Sequence, residues 1–268
     1  MIDWIFAAKA LLSFAVGGAA VAGALLLGEK FGGRIAGIII GLPVVSALGL
    51  FFIGFTQSAA VAAEAVTVMP LTLATGLLFM LSFIKFYERF GLVKSLLAST
   101  LLFFLITGIA VAALNLADIY VNAVIYLLAL AAAAFLVRDY PEKAAKKVAG
   151  KKQFLLRSIF AGTMVMAAVV VAKLANPHLG AIVAAFPASY FSTALISAGS
   201  HGVEFTKTIV KGIPPATLGT LLFYFTAYAT YPTAGIYAGT VAAYSAALAF
   251  VIILEKSRLV IQKIAGKT

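Results

Sequence analysis

The sequence predicts an all-α, polytopic membrane protein with nine transmembrane helices, built as an inverted 4+1+4 internal repeat. Three observations carry that prediction. Hydrophobic residues make up 63% of the 268 and charged residues only 11%, far from the balance of a water-soluble domain. The apolar residues fall into nine runs of about 20, the length that crosses a hydrocarbon core of roughly 30 Å. Residues 11–108 also align without a gap on residues 155–252, a fixed displacement of 144. The match includes awkward residues: Pro43 falls on Pro187, Pro70 on Pro214, Gly18 on Gly162, Gly91 on Gly235, and Leu77-Leu78-Phe79 on Leu221-Leu222-Phe223.

Charge placement sets both the count and the sidedness. The net charge is +11. With nine crossings, all but two of the 20 Lys and Arg fall on one face. They occupy the turn with Lys30 and Arg34, the turn with Lys85, Arg89 and Lys94, and the linker from Arg138 to Arg157. The turn with Lys207 and Lys211 and the tail with Lys256, Arg258, Lys263 and Lys267 complete the set; only Lys9 and Lys173 lie opposite. One missed crossing would scramble this separation. The bias is the positive-inside pattern, so the chain is expected in the cytoplasmic (inner) membrane with its N-terminus outside and its C-terminus in the cytoplasm. The basic balance is thereby assigned to topology and not to nucleic acid.

Taken in order, the first run (Ile5–Leu27) carries Gly17-Gly18-Ala19-Ala20 and Gly23-Ala24, small residues that let helices approach closely. Ala20–Ala24 resembles a cleavage site, but the segment before it is acidic at Asp3 and the run has a repeat partner, so it is expected to be retained. The second run (Ile35–Phe55) opens on Gly32-Gly33, Gly37 and Gly41 and holds Pro43. The third (Ala65–Phe86) has Pro70 in its first turns, where proline is tolerated, and Lys94–Leu114 is the fourth. The fifth (Ile119–Val137) has no counterpart and little polar chemistry beyond Asn122; it returns the chain to the other face. A polybasic linker follows, either a solvated topogenic loop or a segment lying on anionic lipid at about 1 kcal/mol per basic residue. The remaining runs are Phe154–Leu174, Leu179–Gly199 with Pro187, Thr208–Thr230 with Pro214, and Ala234–Leu254. Repeat one is therefore 1–115, the connector helix and linker 116–153, and repeat two with its basic tail 154–268.

Pro43 and Pro187 are the leading site candidates. An in-plane pseudo-two-fold axis brings them to similar depth near the midplane, and each is expected to free the carbonyl four residues back, at Ile39 and Val183. Ser46 follows in one copy and Ser189, Tyr190 and Ser192 in the other. Two readings stay open: a binding site made from interrupted helices, or a pair of kinks whose serines bond back to their own helices. Thr217, Thr220, Tyr224, Tyr228 and Tyr231 share one face of the eighth helix, and Tyr237, Thr240 and Tyr244 repeat the spacing in the ninth. Repeat one is mostly apolar at those positions. The stripe reads equally as a polar path, with Thr220 and Tyr224 as contacts, or as interfacial belt residues. Gln57 and His201 are repeat-equivalent helix-end residues, read as gates or as caps.

Absent residues narrow the chemistry. No Asp or Glu stands at mid-depth, since Glu64, Asp118 and Glu204 fall near helix ends, which disfavours carboxylate-coupled antiport. No Lys or Arg stands there to hold an anion. With no cysteine, thiolate ligands and nucleophiles are excluded. No HExxH, P-loop or GxGxxG motif occurs, and Asp3, Asp118 and Asp139 are poorly placed for a dyad. No catalytic residue, metal site or cofactor is expected, and the chain is not expected to be an enzyme.

Lys9-Ala10-Leu11, the Gly-rich first helix, Ile35-Ala36-Gly37, the downstream Pro43 and Ala47-Leu48 together resemble the small four-helix GlpM-type membrane proteins. The resemblance covers most of repeat one and, through Leu179-Gly180, repeat two more loosely. It implies two fused, inverted copies of that module and a loose association with the cell envelope, without an activity. The four-one-four layout is also similar to fused fluoride channels and fused small multidrug exporters. Neither carries over by residue: the asparagine of the former and the membrane glutamate of the latter are missing.

The leading expectation is a transporter or permeation pathway for a neutral or weakly charged small solute, centred on Pro43 and Pro187. The alternative is a non-transporting accessory or scaffold of the cell envelope, holding partners or lipid through its small-residue faces and basic surface. The expected partners are the lipid bilayer, the solute and anionic lipid at the linker, with no nucleic acid.

Overall fold

The computed structural model describes residues 3–31, 43–113, 117–141 and 151–264. These residues form α-helices and no strand: α1 (Trp4–Phe31), α2 (Val44–Thr56), α3 (Ala59–Val66), α4 (Met69–Ala113), α5 (Ile119–Val137), α6 (Lys151–Leu174), α7 (Pro177–Ala184), α8 (Ala188–His201), α9 (Val203–Lys211) and α10 (Ile213–Ile264). The start of the second run, with Gly32, Gly33, Arg34, Gly37, Ile39 and Gly41, lies outside the described residues, as do the linker lysines Lys143, Lys146 and Lys147. Six stretches are long and apolar enough to span a bilayer. Leu97, Leu101, Val124 and Leu128 point outward, as suits a lipid-facing surface. The chain is an all-helical, multi-pass membrane protein.

Two of those stretches are twice the length of a crossing, and both fold back at a glycine. Gly91 (φ 72, ψ −174) bends α4 and Gly235 (φ 75, ψ 175) bends α10, a backbone region open essentially to glycine alone. Across the first bend the Ser82 Oγ donates to Ser99 Oγ at 3.0 Å and the Thr107 Oγ1 to Thr75 Oγ1 at 2.8 Å. Across the second, the Tyr231 and Thr240 hydroxyls are 3.1 Å apart and the Phe223 and Tyr244 rings 5.0 Å apart. Each is an antiparallel helical hairpin with glycine at its tip.

Helix boundaries recur along the chain. α2 and α8 begin at Val44 and Ala188, α3 and α9 at Ala59 and Val203, and α4 and α10 at Met69 and Ile213, each pair 144 apart. The short helices α3 and α9 differ from the sequence expectation, which started crossings at Ala65 and Thr208. Hydropathy runs on unbroken through residues 59–68, so it does not register the turn before Met69. α9 is amphipathic, burying Phe205, Thr206 and Val210 while Glu204 and Lys207 form ion pairs on its other side.

Four of the described helix starts are locally encoded. The Asp3 carboxylate accepts from Phe6 N–H at 2.7 Å, Ser58 Oγ from Val61 N–H at 3.2 Å, Asp118 from Tyr120 and Val121 at 2.8 and 2.9 Å, and Asn176 from Leu179 at 2.8 Å. A cap of this kind stabilises a helix by about 1 kcal/mol.

α1 and α6 meet through small residues. A Cβ on Gly162 would lie 2.5 Å from the Phe14 carbonyl oxygen, and one on Gly18 3.0 Å from that of Ser158. The register runs oppositely on the two helices, so they are antiparallel. Gly23, expected to share this packing face, has open space around it. At one end of the bundle Lys207 donates to Glu204 at 2.6 Å and Glu88 at 3.1 Å, and Lys211 to the Tyr140 carbonyl at 3.0 Å. The Glu204 hydrogen bond, foremost, holds the Lys207 ammonium above its ordinary pKa, and burial pushes the Tyr140 phenol up. At the other end Lys9 donates to the Phe55 carbonyl at 3.2 Å and Asn122 to that of Thr67 at 3.0 Å.

Candidate functional site

α8 and α2 have no side-chain cap; each starts from a proline break. Pro187 has φ −75, ψ 61 and Pro43 φ −81, ψ 58, values of an inverse γ-turn. At Pro187 the turn closes, with Ala188 N–H donating to the Phe186 carbonyl at 2.6 Å. Helical bonding then begins at once, from Phe191 N–H to Pro187 O and from Ala47 N–H to Pro43 O, both at 2.8 Å.

The break does not free the Val183 carbonyl, contrary to the expectation from sequence. Phe186 N–H donates to it at 3.1 Å, tightening the last turn of α7. Its counterpart Ile39 lies outside the described residues. What the breaks offer are amides: apart from Ala188 N–H, which closes the turn, the first-turn N–H groups of α2 and α8 have no intrahelical acceptor, and neither helix has a side-chain cap.

Both first turns line one cavity of about 100 Å³. Its wall comprises 43–46 of α2 with its proline, 184–190 across the second break, Thr72, Leu73 and Gly76 of α4, and Thr220 and Tyr224 of α10. Phe186 anchors one side, its ring lying 5.3 to 6.2 Å from those of Phe79, Phe103, Phe104, Phe160 and Phe191. Tyr224 donates to Ser46 Oγ at 2.9 Å and Thr72 to the Met69 carbonyl at 2.6 Å. The Thr220 hydroxyl, in a residue only 8% exposed, has no partner among the described residues, and neither has that of Tyr190. Among the described residues no charged side chain lines the cavity. Its electrostatics therefore come from hydroxyls and helix ends, each helix N-terminus carrying about half a positive charge.

The sequence-predicted residues Pro43, Ser46, Pro187, Ser189, Tyr190, Thr220 and Tyr224 all meet here. Ser192 does not: its hydroxyl donates to the Ser189 carbonyl at 3.1 Å, bonding back to its own helix. Gln57 and His201 also lie off the cavity. Gln57 is the C-cap residue of α2 with its Nε2 buried and unpartnered, and His201 ends α8 with its ring 4.9 Å from that of Phe205. The hydroxyl stripe divides. Thr217, Thr220, Tyr224 and Tyr231 are buried, whereas Tyr237 is exposed beside Phe51.

Thr72, Gly76 and Phe186 line the cavity without standing out in the sequence. Gly76 is recognisable there only as the repeat partner of Thr220, and Phe186 only as the residue preceding a mid-run proline. Among the described residues no three His, Asp or Glu come together as a metal site would require. No family model, curated protein or solved structure matches the chain.

Proposed function

We propose that the protein is a transporter or permeation pathway for a small solute, with the cavity between Pro43 and Pro187 as its site. In this reading the halves 1–115 and 154–268 are inverted repeats around the connector, giving nine crossings in the inner membrane with the N-terminus outside. The recurrence of helix boundaries and of both proline and glycine dihedrals at a spacing of 144 supports the repeat. The antiparallel register of α1 on α6 supports the inversion. The observation that carries the function is the cavity itself: two helix breaks 144 residues apart meet at one polar space whose described lining has hydroxyls and no formal charge. Transport sites built from discontinuous helices at a repeat interface have this construction. No catalytic role is proposed for it.

The test is solute flux into liposomes reconstituted with the purified protein, across a panel of small neutral and charged solutes. Gly76→Leu is the matched variant. A Cβ at Gly76 would lie 3.7 Å from Tyr190 Cε2 and 3.9 Å from Pro187 Cβ, so alanine fits in ordinary contact while leucine projects into the cavity. Flux should survive Gly76→Ala and fall at least about tenfold in a folded Gly76→Leu protein, the loss expected for a misfit of about 1.4 kcal/mol or more. Equal flux in both would remove this cavity from the pathway.

A further inference from the structure

We propose that the cavity binds a small monovalent anion, held by two helix starts and a set of hydroxyl donors in place of a cationic side chain. The inference rests on the permeation reading and names its substrate class.

Charge is the first argument. α2 and α8 are 13 and 14 residues long and both start uncapped at this cavity. Two N-termini at about half a positive charge each present roughly one unit of positive charge, which matches a monoanion and leaves a dianion unbalanced. The last carbonyls of α7 oppose this only in part, because those of Ala181 and Val183 already accept hydrogen bonds, as does that of Phe186 just beyond the helix. Among the described residues no carboxylate lines the space to balance a cation.

The hydroxyls supply an independent argument. Thr226 and Thr230, on the same helix as Thr220, donate to the carbonyls four residues back at 2.9 and 2.7 Å. Thr220, equally able to do so, makes no hydrogen bond although it is 8% exposed and lines the cavity. Ser46 accepts from Tyr224, so its own proton remains to be given. Tyr190 adds a third hydroxyl without an acceptor. Three donors and two helix starts thus face one space, and what they lack is an acceptor.

Size bounds the ligand. An engineered cavity of about 150 Å³ holds benzene, so about 100 Å³ suits an ion of about four to six non-hydrogen atoms. A planar inorganic oxyanion and a short monocarboxylate share this chemistry.

Uptake into proteoliposomes of nitrogen-15 nitrate, carbon-14 lactate, carbon-14 glycerol and rubidium-86 tests the proposal, with Thr220→Val as the near-isosteric variant. Saturable uptake of nitrate, lactate or both, with rubidium excluded, is expected, and whichever anion enters identifies the source. Thr220→Val should raise the half-saturation concentration at least about tenfold, the effect of losing a hydrogen bond to a charged group. Anion uptake unchanged in that variant would overturn the site. Entry of glycerol or rubidium with neither anion would overturn the anion assignment while leaving a pathway in place. No uptake of any probe would overturn the permeation reading itself.

Discussion

Tyr126 and Thr217 join α5 to α10 through hydroxyls 2.6 Å apart, both fully or nearly fully buried. Thr217 also donates to the Pro214 carbonyl at 2.7 Å, so its proton is used and Tyr126 is the donor of the pair. The two truncations should then be unequal. Tyr126→Phe leaves Thr217 satisfied and should cost about 0.6 kcal/mol, at most about 1.7, as interhelical hydrogen bonds in membranes do. Thr217→Val strands the phenol in a dry core and should cost about 1–3 kcal/mol. Reversible unfolding in mixed micelles measures both; equal costs would contradict the donor assignment. At this scale the sequence is legible only halfway. Asn122 stands out because an amide in an apolar run is conspicuous, whereas tyrosine scarcely lowers hydropathy and its partner is 91 residues away.

The broken and bent elements separate what sequence makes legible from what it does not. Glycine and proline announce positions, and Gly91, Gly235, Pro43 and Pro187 all mark real interruptions. They do not announce which backbone groups open, because that depends on whether the preceding turn tightens, as it does where Phe186 N–H bonds the Val183 carbonyl. Conformation and space can be separated experimentally. A Cβ placed on Gly235 or on Gly108 would meet no atom within 4 Å, but only Gly235 has positive φ. Gly235→Ala should therefore destabilise by about 1–3 kcal/mol, while Gly108→Ala, inside a regular helix, should stabilise by about 0.5–1 kcal/mol. Thermal unfolding of the two variants reads the contrast directly. Pro187→Ala asks a functional question of the other break. Alanine restores the missing N–H and lets α7 run into α8, a change worth up to about 3 kcal/mol in a helix interior, and it removes the open first turn of α8 from the cavity. Stability equal to or above wild type together with lost flux is expected. Lost stability with retained flux would mark the proline as a kink that merely shapes the bundle.

Sidedness belongs to the whole molecule, and the absence of cysteine makes it testable without background labelling. The ion-pair network of Lys207, Glu88 and Glu204, with Lys211 on the Tyr140 carbonyl, gathers three of the basic segments at one end of the bundle. The capped starts at Ser58, Asp118 and Asn176 belong to segments poor in Lys and Arg, grouped instead around contacts such as Lys9 on Phe55 and Asn122 on Thr67. If the first group is cytoplasmic, single cysteines at Arg89 and Lys256 should react with a membrane-impermeant maleimide only after cells are opened. Cysteines at Asp3 and Tyr237, both exposed, should react in intact cells. The two glycine tips provide the sharpest comparison. They bend with nearly the same dihedrals, yet the first carries Lys85, Arg89 and Lys94 and the second no Lys or Arg between Lys211 and Lys256. Arg89→Cys and Tyr237→Cys labelling from the same side would defeat the inversion, because two copies of one hairpin would then share an orientation. Labelling from opposite sides would leave the antiparallel α1–α6 contact and the two converging helix starts as consequences of a single duplication.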